Sequence, residues 1–225
     1  RMILKIVKYV SKISFLRKNL FLKKFLKKLS KTLSRVLYGK YKKICIANRY
    51  NFLIDSEFAF YNYENWSTGH NKGFAKLLDI SKNKKVVFDI GAHIGLCTLP
   101  LSVLASHIVS FEASPTNVKY LKKHVKINQK KNVKIVPNLV GDQNINNFNF
   151  YDVDNGSGIP SIINLNLKKK NLLIKKIKVD QIFLDDYVKK NSLIPDVIKI
   201  DVEGAEFNVL DGAIKILKEC RPKII

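Results

Sequence analysis

Acidic residues are scarce in this chain: 18 Asp and Glu stand against 41 Lys and Arg in 225 residues, a formal charge of +23. None precedes Asp55, and 15 of the basic residues fall within residues 1–43. The rest of the chain carries 26 basic against 18 acidic residues, a mild excess in keeping with its Lys-, Ile- and Asn-rich composition. The concentrated charge at the start points instead to an anionic partner, nucleic acid or anionic lipid. The three cysteines, Cys45, Cys97 and Cys220, lie far apart. They indicate neither a disulfide framework nor a thiolate zinc site, and a reducing, cytoplasmic compartment is expected. No apolar run approaches the roughly 18 residues of a spanning helix, and the short ones are too broken for a signal-peptide core. Also missing is the G-x-G-x-x-G pattern of dinucleotide sites, which disfavours an NAD-dependent enzyme. No Asn-Pro-Pro-aromatic or Cys-based base-modifying motif is present, so charge alone supports a nucleic-acid substrate.

What the chain does have is Val86-Val87-Phe88-Asp89-Ile90-Gly91-Ala92-His93-Ile94-Gly95. The short β-branched run predicts a strand buried on both faces, as parallel strands are. It stops at an acid and enters a turn with glycines four apart, and a helix is expected over Leu96 to Ala105. The bare backbone of such a turn lets a ligand approach the helix N-terminus. A methionine-bearing adenosyl cofactor needs that close approach and brings no phosphate.

Three segments are expected. Residues 1–43 form a basic amphipathic helical segment, with apolar residues at three-to-four spacing from Ile3 to Leu37 and lysines at 23, 24, 27, 28 and 31. Such a helix lies on an anionic membrane surface or packs on protein. Residues 44–80 are an aromatic-rich lead-in (Tyr50, Phe52, Phe58, Phe60, Tyr61, Tyr63, Trp66) that reads as core or as a pocket wall, followed by a helix from His70 to Leu78. Residues 81–225 alternate strand and helix. Strands are predicted at Ile108–Phe111, Val133–Val140, Phe148–Val153, Ile177–Val179 and Val197–Ile200, and helices at Pro115–Gln129 and about Ala205–Lys218. The polar loop Asp154–Gly158 and the charge run Lys168–Lys170 interrupt them. The fold class is therefore α/β, a mostly parallel sheet with helices on both faces. The final Pro222-Lys223-Ile224-Ile225 reads as a strand just begun, hence a sheet truncated at its C-terminal side.

Strands of this pattern end at Asp89, Glu112, Asp142 and Asp201, one acid apiece in a chain poor in acids. In open α/β sheets the ligand sits beyond the carboxyl ends of the strands, so the four are expected around one crevice. A carboxylate after the second strand suits a ribose diol, which offers two O–H donors. The others suit the amino and sulfonium cations and the adenine amine of a methyl donor.

With these residues in place the chain resembles the S-adenosylmethionine-dependent methyltransferases of the FkbM family. The likeness rests on Val87 to Gly95, Phe111-Glu112-Ala113-Ser114-Pro115, Leu184-Asp185-Asp186-Tyr187 and, most specifically, Pro195-Asp196-Val197-Ile198-Lys199-Ile200-Asp201-Val202-Glu203-Gly204-Ala205-Glu206. It continues through Val209 to Ala213 and Pro222 to Ile225. The resemblance implies a Rossmann-like class I methyltransferase sheet and methyl transfer to a hydroxyl on a sugar, glycan or natural product. It implies that Asp89, Gly91, His93 and Gly95 hold the methionine end, Glu112 the ribose and Asp142 the adenine, with Asp201 and Glu203 beside the reacting sulfonium. The basic segment before residue 44 is not part of the shared pattern.

In-line methyl transfer is mostly positioning, plus a base for the hydroxyl. Asp201 and Glu203, two apart beyond a strand, are the catalytic candidates, one for the cofactor and one for the proton. The same acids offer a site for a divalent metal, a less favoured reading. The competing functions are a nucleic-acid-directed methyltransferase and a non-catalytic protein that keeps the fold and binds, through residues 1–43, the inner face of a membrane.

Overall fold

A computed structural model describes residues 20–59, 62–68, 72–153, 174–202 and 204–225. The expected helical stretch before residue 20, Phe60, Tyr61, the loop at 154–158, the run at 168–170 and Glu203 lie outside the described residues. The chain divides into two compact units, residues 1–65 and 66–225.

In the first unit, helix α1 (Leu20–Tyr38) is followed by the antiparallel hairpin β1 (Tyr41–Ile46) and β2 (Tyr50–Asp55) and by a 3₁₀ turn, Ser56–Phe58. Tyr50, Phe52 and Ile54 alternate inward along β2, so the dense aromatics here are core, as period-two burial requires. Glu57 in the 3₁₀ turn ties the helix down through Lys31 at 2.7 Å and Arg35 at 2.9 Å. The compositional boundary at residue 43 falls inside β1. Charge changes there, whereas compactness is set by strand pairing and by Glu57. Among the described residues no helix is long and apolar enough to cross a membrane.

The second unit begins with α2 (Lys72–Ile80) and then follows the expected alternation: β3 (Val86–Ile90), α3 (Thr98–Leu104), β4 (His107–Phe111), α4 (Pro115–Ile127), β5 (Val133–Val136), β6 (Leu139–Gly141), β7 (Ile145–Val153), β8 (Ile174–Phe183), α5 (Leu184–Asn191), β9 (Val197–Ile200), α6 (Glu206–Asp211), α7 (Ile214–Glu219) and β10 (Lys223–Ile224). Five strands form a parallel sheet in the order β5-β4-β3-β9-β10. The strand carrying the glycine turn is thus central, and the order reverses between it and β9. This is a Rossmann-like methyltransferase sheet, and its switch point is where such sheets bind ligands.

Both faces of the sheet are covered. Phe88, Ile90, Val109, Phe111 and Ile198 pack with Leu184, Val188, Val209 and Ile216 from α5, α6 and α7. On the other face Val133 and Ile135 meet Leu121 and Val125 of α4. Val136 of β5 belongs to the first cluster and Val133 and Ile135 to the second, so neighbouring residues of one strand serve opposite faces. Phe88, Phe111 and Tyr187 form an edge-to-face trio with centroids 5.1 to 6.2 Å apart.

Two predicted elements are split. The strand expected over Val133–Val140 breaks at Pro137, which has no N–H for the ladder. Leu139–Gly141 leaves the main sheet and pairs in parallel with Gln181–Phe183 of β8, whose other edge carries β7 antiparallel. The helix expected over Ala205–Lys218 breaks at Gly212, where a Cβ would sit 2.0 Å from the Gly141 carbonyl oxygen. The close approach of β6 to that point admits only glycine.

Candidate active site

A cavity of about 220 Å³ opens at the switch point. The glycine turn forms one wall, Glu112 and Asn117 a second, and Lys199 and Asp201 at the end of β9 a third; Trp66 and Phe150 add aromatic surface.

The turn is built by left-handed backbone at Gly91 (φ 75°), His93 (φ 53°) and Gly95 (φ 95°). Gly91 and Ala92 both donate N–H to the Phe111 carbonyl, which leaves Gly91 pressed against the next strand: a Cβ there would meet the Asp201 carbonyl oxygen at 2.0 Å. From behind, the buried His124 of α4 donates its ring N–H to the Ile94 carbonyl at 2.7 Å. The turn is therefore fixed by backbone packing on two sides, a form of preorganisation that leaves its inner face to a ligand.

Glu112 is only 6% exposed yet lines the cavity. Its carboxylate accepts the His93 N–H at 2.7 Å, the Ser114 N–H at 2.9 Å and the Asn117 side-chain N–H at 3.3 Å. Burial pushes its pKa above the ordinary glutamate value, and the Ser114 and His93 N–H groups pull part of the way back. One side chain thus joins the turn after β3 to the start of α4, where Ser114 caps the helix through the Asn117 N–H.

Asp89 and Asp201, both sequence candidates, are placed differently. Asp89 is fully buried, does not line the cavity, and accepts from Thr98 Oγ1 at 2.6 Å. Lys199 Nζ stands 3.0 Å from Asp89 Oδ1 and 3.7 Å from Asp201 Oδ2, and donates to the carbonyls of Gly91 at 2.8 Å and Ile90 at 3.3 Å. Burial is the largest single influence and pulls the lysine's pKa down; Asp89, Cys97 and Asp201 together, with Asp89 first among them, outweigh it and leave the value raised. Asp201 is the open end of this chain of charges, its side chain 69% exposed at the cavity. Cys97 lines the cavity beside them, its thiol pushed up to about 12 by burial.

Of the eight sequence candidates, Gly91, His93, Glu112 and Asp201 are brought to the cavity wall. Gly95 shapes the turn from behind. Asp142 does not line the cavity; it follows β6 into the small sheet and accepts from Gln181 Nε2 at 3.3 Å. Asn138 and Leu139 take the place expected of it. Lys199, Asn117 and Asn138 were not among the sequence candidates, while Trp66 comes from the aromatic stretch read as core or pocket wall. Among the described residues no group of three or more His, Cys, Asp or Glu side chains could hold a metal ion.

The Methyltransferase FkbM domain matches residues 89–225, more than half of the chain. The chain belongs to the FkbM methyltransferase family. Solved structures with related chain traces include the methyltransferase FkbM of Methylobacillus flagellatus KT, at 20% identity and a TM-score of 0.43 over 63% of this chain and 32% of that one. Others are a precorrin-6y C5,15-methyltransferase of Geobacter metallireducens GS-15 (15% identity, TM-score 0.37, 64% and 56% of the two chains) and an rRNA methylase of Streptococcus thermophilus (14%, 0.39, 66% and 62%). The chain spans 32 to 62% of the length of these structures. Comparison with curated proteins finds no match.

Seen in the structure, much of the FkbM motif set is scaffold. Asp196 accepts the N–H groups of Lys85 and Val86, both at 2.9 Å, and so aligns the start of β9 with the start of β3. Asp185 accepts the N–H groups of Lys215 and Ile216 and caps α7. Asp201, beyond the end of β9, faces the cavity instead and stands 3.7 Å from Lys199.

Proposed function

We propose that the chain is an S-adenosylmethionine-dependent methyltransferase acting on a hydroxyl oxygen of a sugar, glycan or natural product. One observation carries this reading. Among the described residues the cavity at the switch point presents two carboxylates, Glu112 and Asp201, while the one lysine in its lining is already bound to Asp89. That donor set suits a diol and a cation and opposes a pyrophosphate. It fits S-adenosylmethionine, with Glu112 accepting from the ribose hydroxyls, the glycine turn admitting the methionine end, and Asn138, Leu139 and Phe150 flanking the adenine. Asp201 offers the carboxylate for the amino group and sulfonium.

The cofactor, when bound, supplies an electrophilic methyl on sulfur. The protein's part is to hold the acceptor oxygen in line with it and to take the hydroxyl proton as the new C–O bond forms and the S–C bond breaks. We assign the proton to Glu203 on its motif position, with Asp201 as the cofactor's partner. A divalent cation bound by the same acids is the rival assignment.

These assignments separate in one experiment on turnover and cofactor affinity. Glu203→Gln is expected to leave affinity nearly unchanged and to lower turnover by about 10² or more, because an amide cannot accept the proton. Asp201→Asn is expected to weaken affinity as well. Full turnover in Glu203→Gln would place the base elsewhere, and loss of wild-type turnover on adding chelator would favour the metal.

A further inference from the structure

We infer that α1 is a docking helix for an anionic lipid surface, independent of the methyl-transfer reading. The helix has two unlike faces. One is seated on its own unit: Ser34 is fully buried, Lys31 and Arg35 pair with Glu57, and Lys42 of β1 lies over the Tyr38 ring with its Nζ 4.3 Å from the centroid. The other carries Phe25, Leu29 and Val36, spaced i, i+4 and i+11 and therefore in line on a helix. They are 55%, 46% and 76% exposed. Ser34 lies nine residues beyond Phe25, two and a half turns at about 3.6 residues per turn, so the buried and exposed faces are opposite.

A stripe of large apolar side chains on a helix already anchored by its other face needs a second surface to cover it. Charge selects which. The nineteen residues of α1 hold no acid, and residues 1–43 hold fifteen basic residues and none acidic. Two copies of this helix laid stripe to stripe would set like charges against each other, and Lys28 beside the stripe is exposed. An anionic bilayer takes the apolar stripe into its headgroup boundary while the flanking lysines meet lipid phosphate, the arrangement of interfacial amphipathic helices. Polar Thr32 interrupts the stripe, which keeps the hydrophobicity low enough for peripheral, reversible attachment.

The test is co-sedimentation of the full chain with vesicles of phosphatidylcholine alone and of phosphatidylcholine with about one third phosphatidylglycerol, at low and high salt. The wild type is expected to bind only the anionic vesicles and to be released by salt. The triple variant Phe25→Ser, Leu29→Ser, Val36→Ser changes exposed positions only, and is expected to lose about tenfold or more in vesicle affinity with an unchanged circular dichroism spectrum. A second variant, Phe25→Trp, reports position directly: brominated lipid in the anionic vesicles is expected to quench its added fluorescence. Equal binding to neutral vesicles, binding unaltered in the triple variant, or an unquenched Trp at position 25 would each overturn the assignment. So would a dimer in sedimentation velocity that the triple variant abolishes, since the stripe would then belong to a second copy.

Discussion

Lys199→Met is expected to destabilise the chain by about 3 to 5 kcal/mol, the usual cost of breaking a buried ion pair by removing one partner. The reason lies in what Met cannot replace. Asp89 is fully buried and would keep only the Thr98 hydroxyl, and the Gly91 and Ile90 carbonyls would lose their common donor. Because the pair holds the lysine's pKa above its ordinary value, this contribution is complete at neutral pH and is lost only as pH climbs through the raised folded-state value. Urea titration at pH 7 measures it. The double variant Asp89→Asn, Lys199→Met should recover part of the loss, since no charge is then left uncompensated. A single variant costing less than about 1 kcal/mol would mean that the pair does not carry the switch point.

Gly91→Ala is expected to cost about 2 to 6 kcal/mol, adding the strain of a left-handed alanine to overpacking against rigid backbone. The added Cβ would lie 2.0 Å from the Asp201 carbonyl oxygen, and neither strand end can yield without breaking the Gly91 N–H bond to Phe111. The result should be a lower urea midpoint and lost cofactor binding together. Gly73→Ala is the control: Gly73 lies in α2, and a Cβ added there would have nothing within 4 Å. Because alanine is the better helix former, it should be neutral or mildly stabilising. A Gly91→Ala protein with wild-type stability and affinity would show that the turn tolerates movement.

The central sheet was readable because its strands are buried on both faces and so spell unbroken apolar runs between turn residues, Val86 to Phe88 and Ile108 to Phe111 above all. Where the reading failed, a single residue with a backbone effect was responsible. Pro137 ends β5 early and sends Leu139 into another sheet, which carries Asp142 away from the cavity lining. Gly212 divides α6 from α7 because of β6, a contact remote in sequence.

The site was legible as acids at strand ends, but the pattern does not distinguish a buried brace from a ligand-facing carboxylate. Asp89 lies within β3 opposite Lys199, whereas Asp201 follows the end of β9, and Lys199 contacts both. A signal for that lysine was present: a charged residue in the apolar run Val197-Ile198-Lys199-Ile200 must find a carboxylate when the strand is buried on both faces. Asn117 had no such signal: its arrival at the cavity depends on the direction of α4, which a local pattern does not encode, while the aromatic density around Trp66 left core and pocket wall both open.

Calorimetric titration with S-adenosylmethionine and with NAD, for wild type and Glu112→Gln and across pH, tests the cavity's assignment most directly. The wild type should bind one S-adenosylmethionine and show no comparable heat with NAD. Glu112 accepts from both ribose hydroxyls most strongly when ionised, and its pKa stands above the ordinary glutamate value, so affinity should fall on acidification before that ordinary range is reached. Glu112→Gln should bind more weakly by about 1 to 3 kcal/mol and lose this pH dependence. No binding of S-adenosylmethionine by the wild type, or equal affinity for NAD, would contradict the assignment.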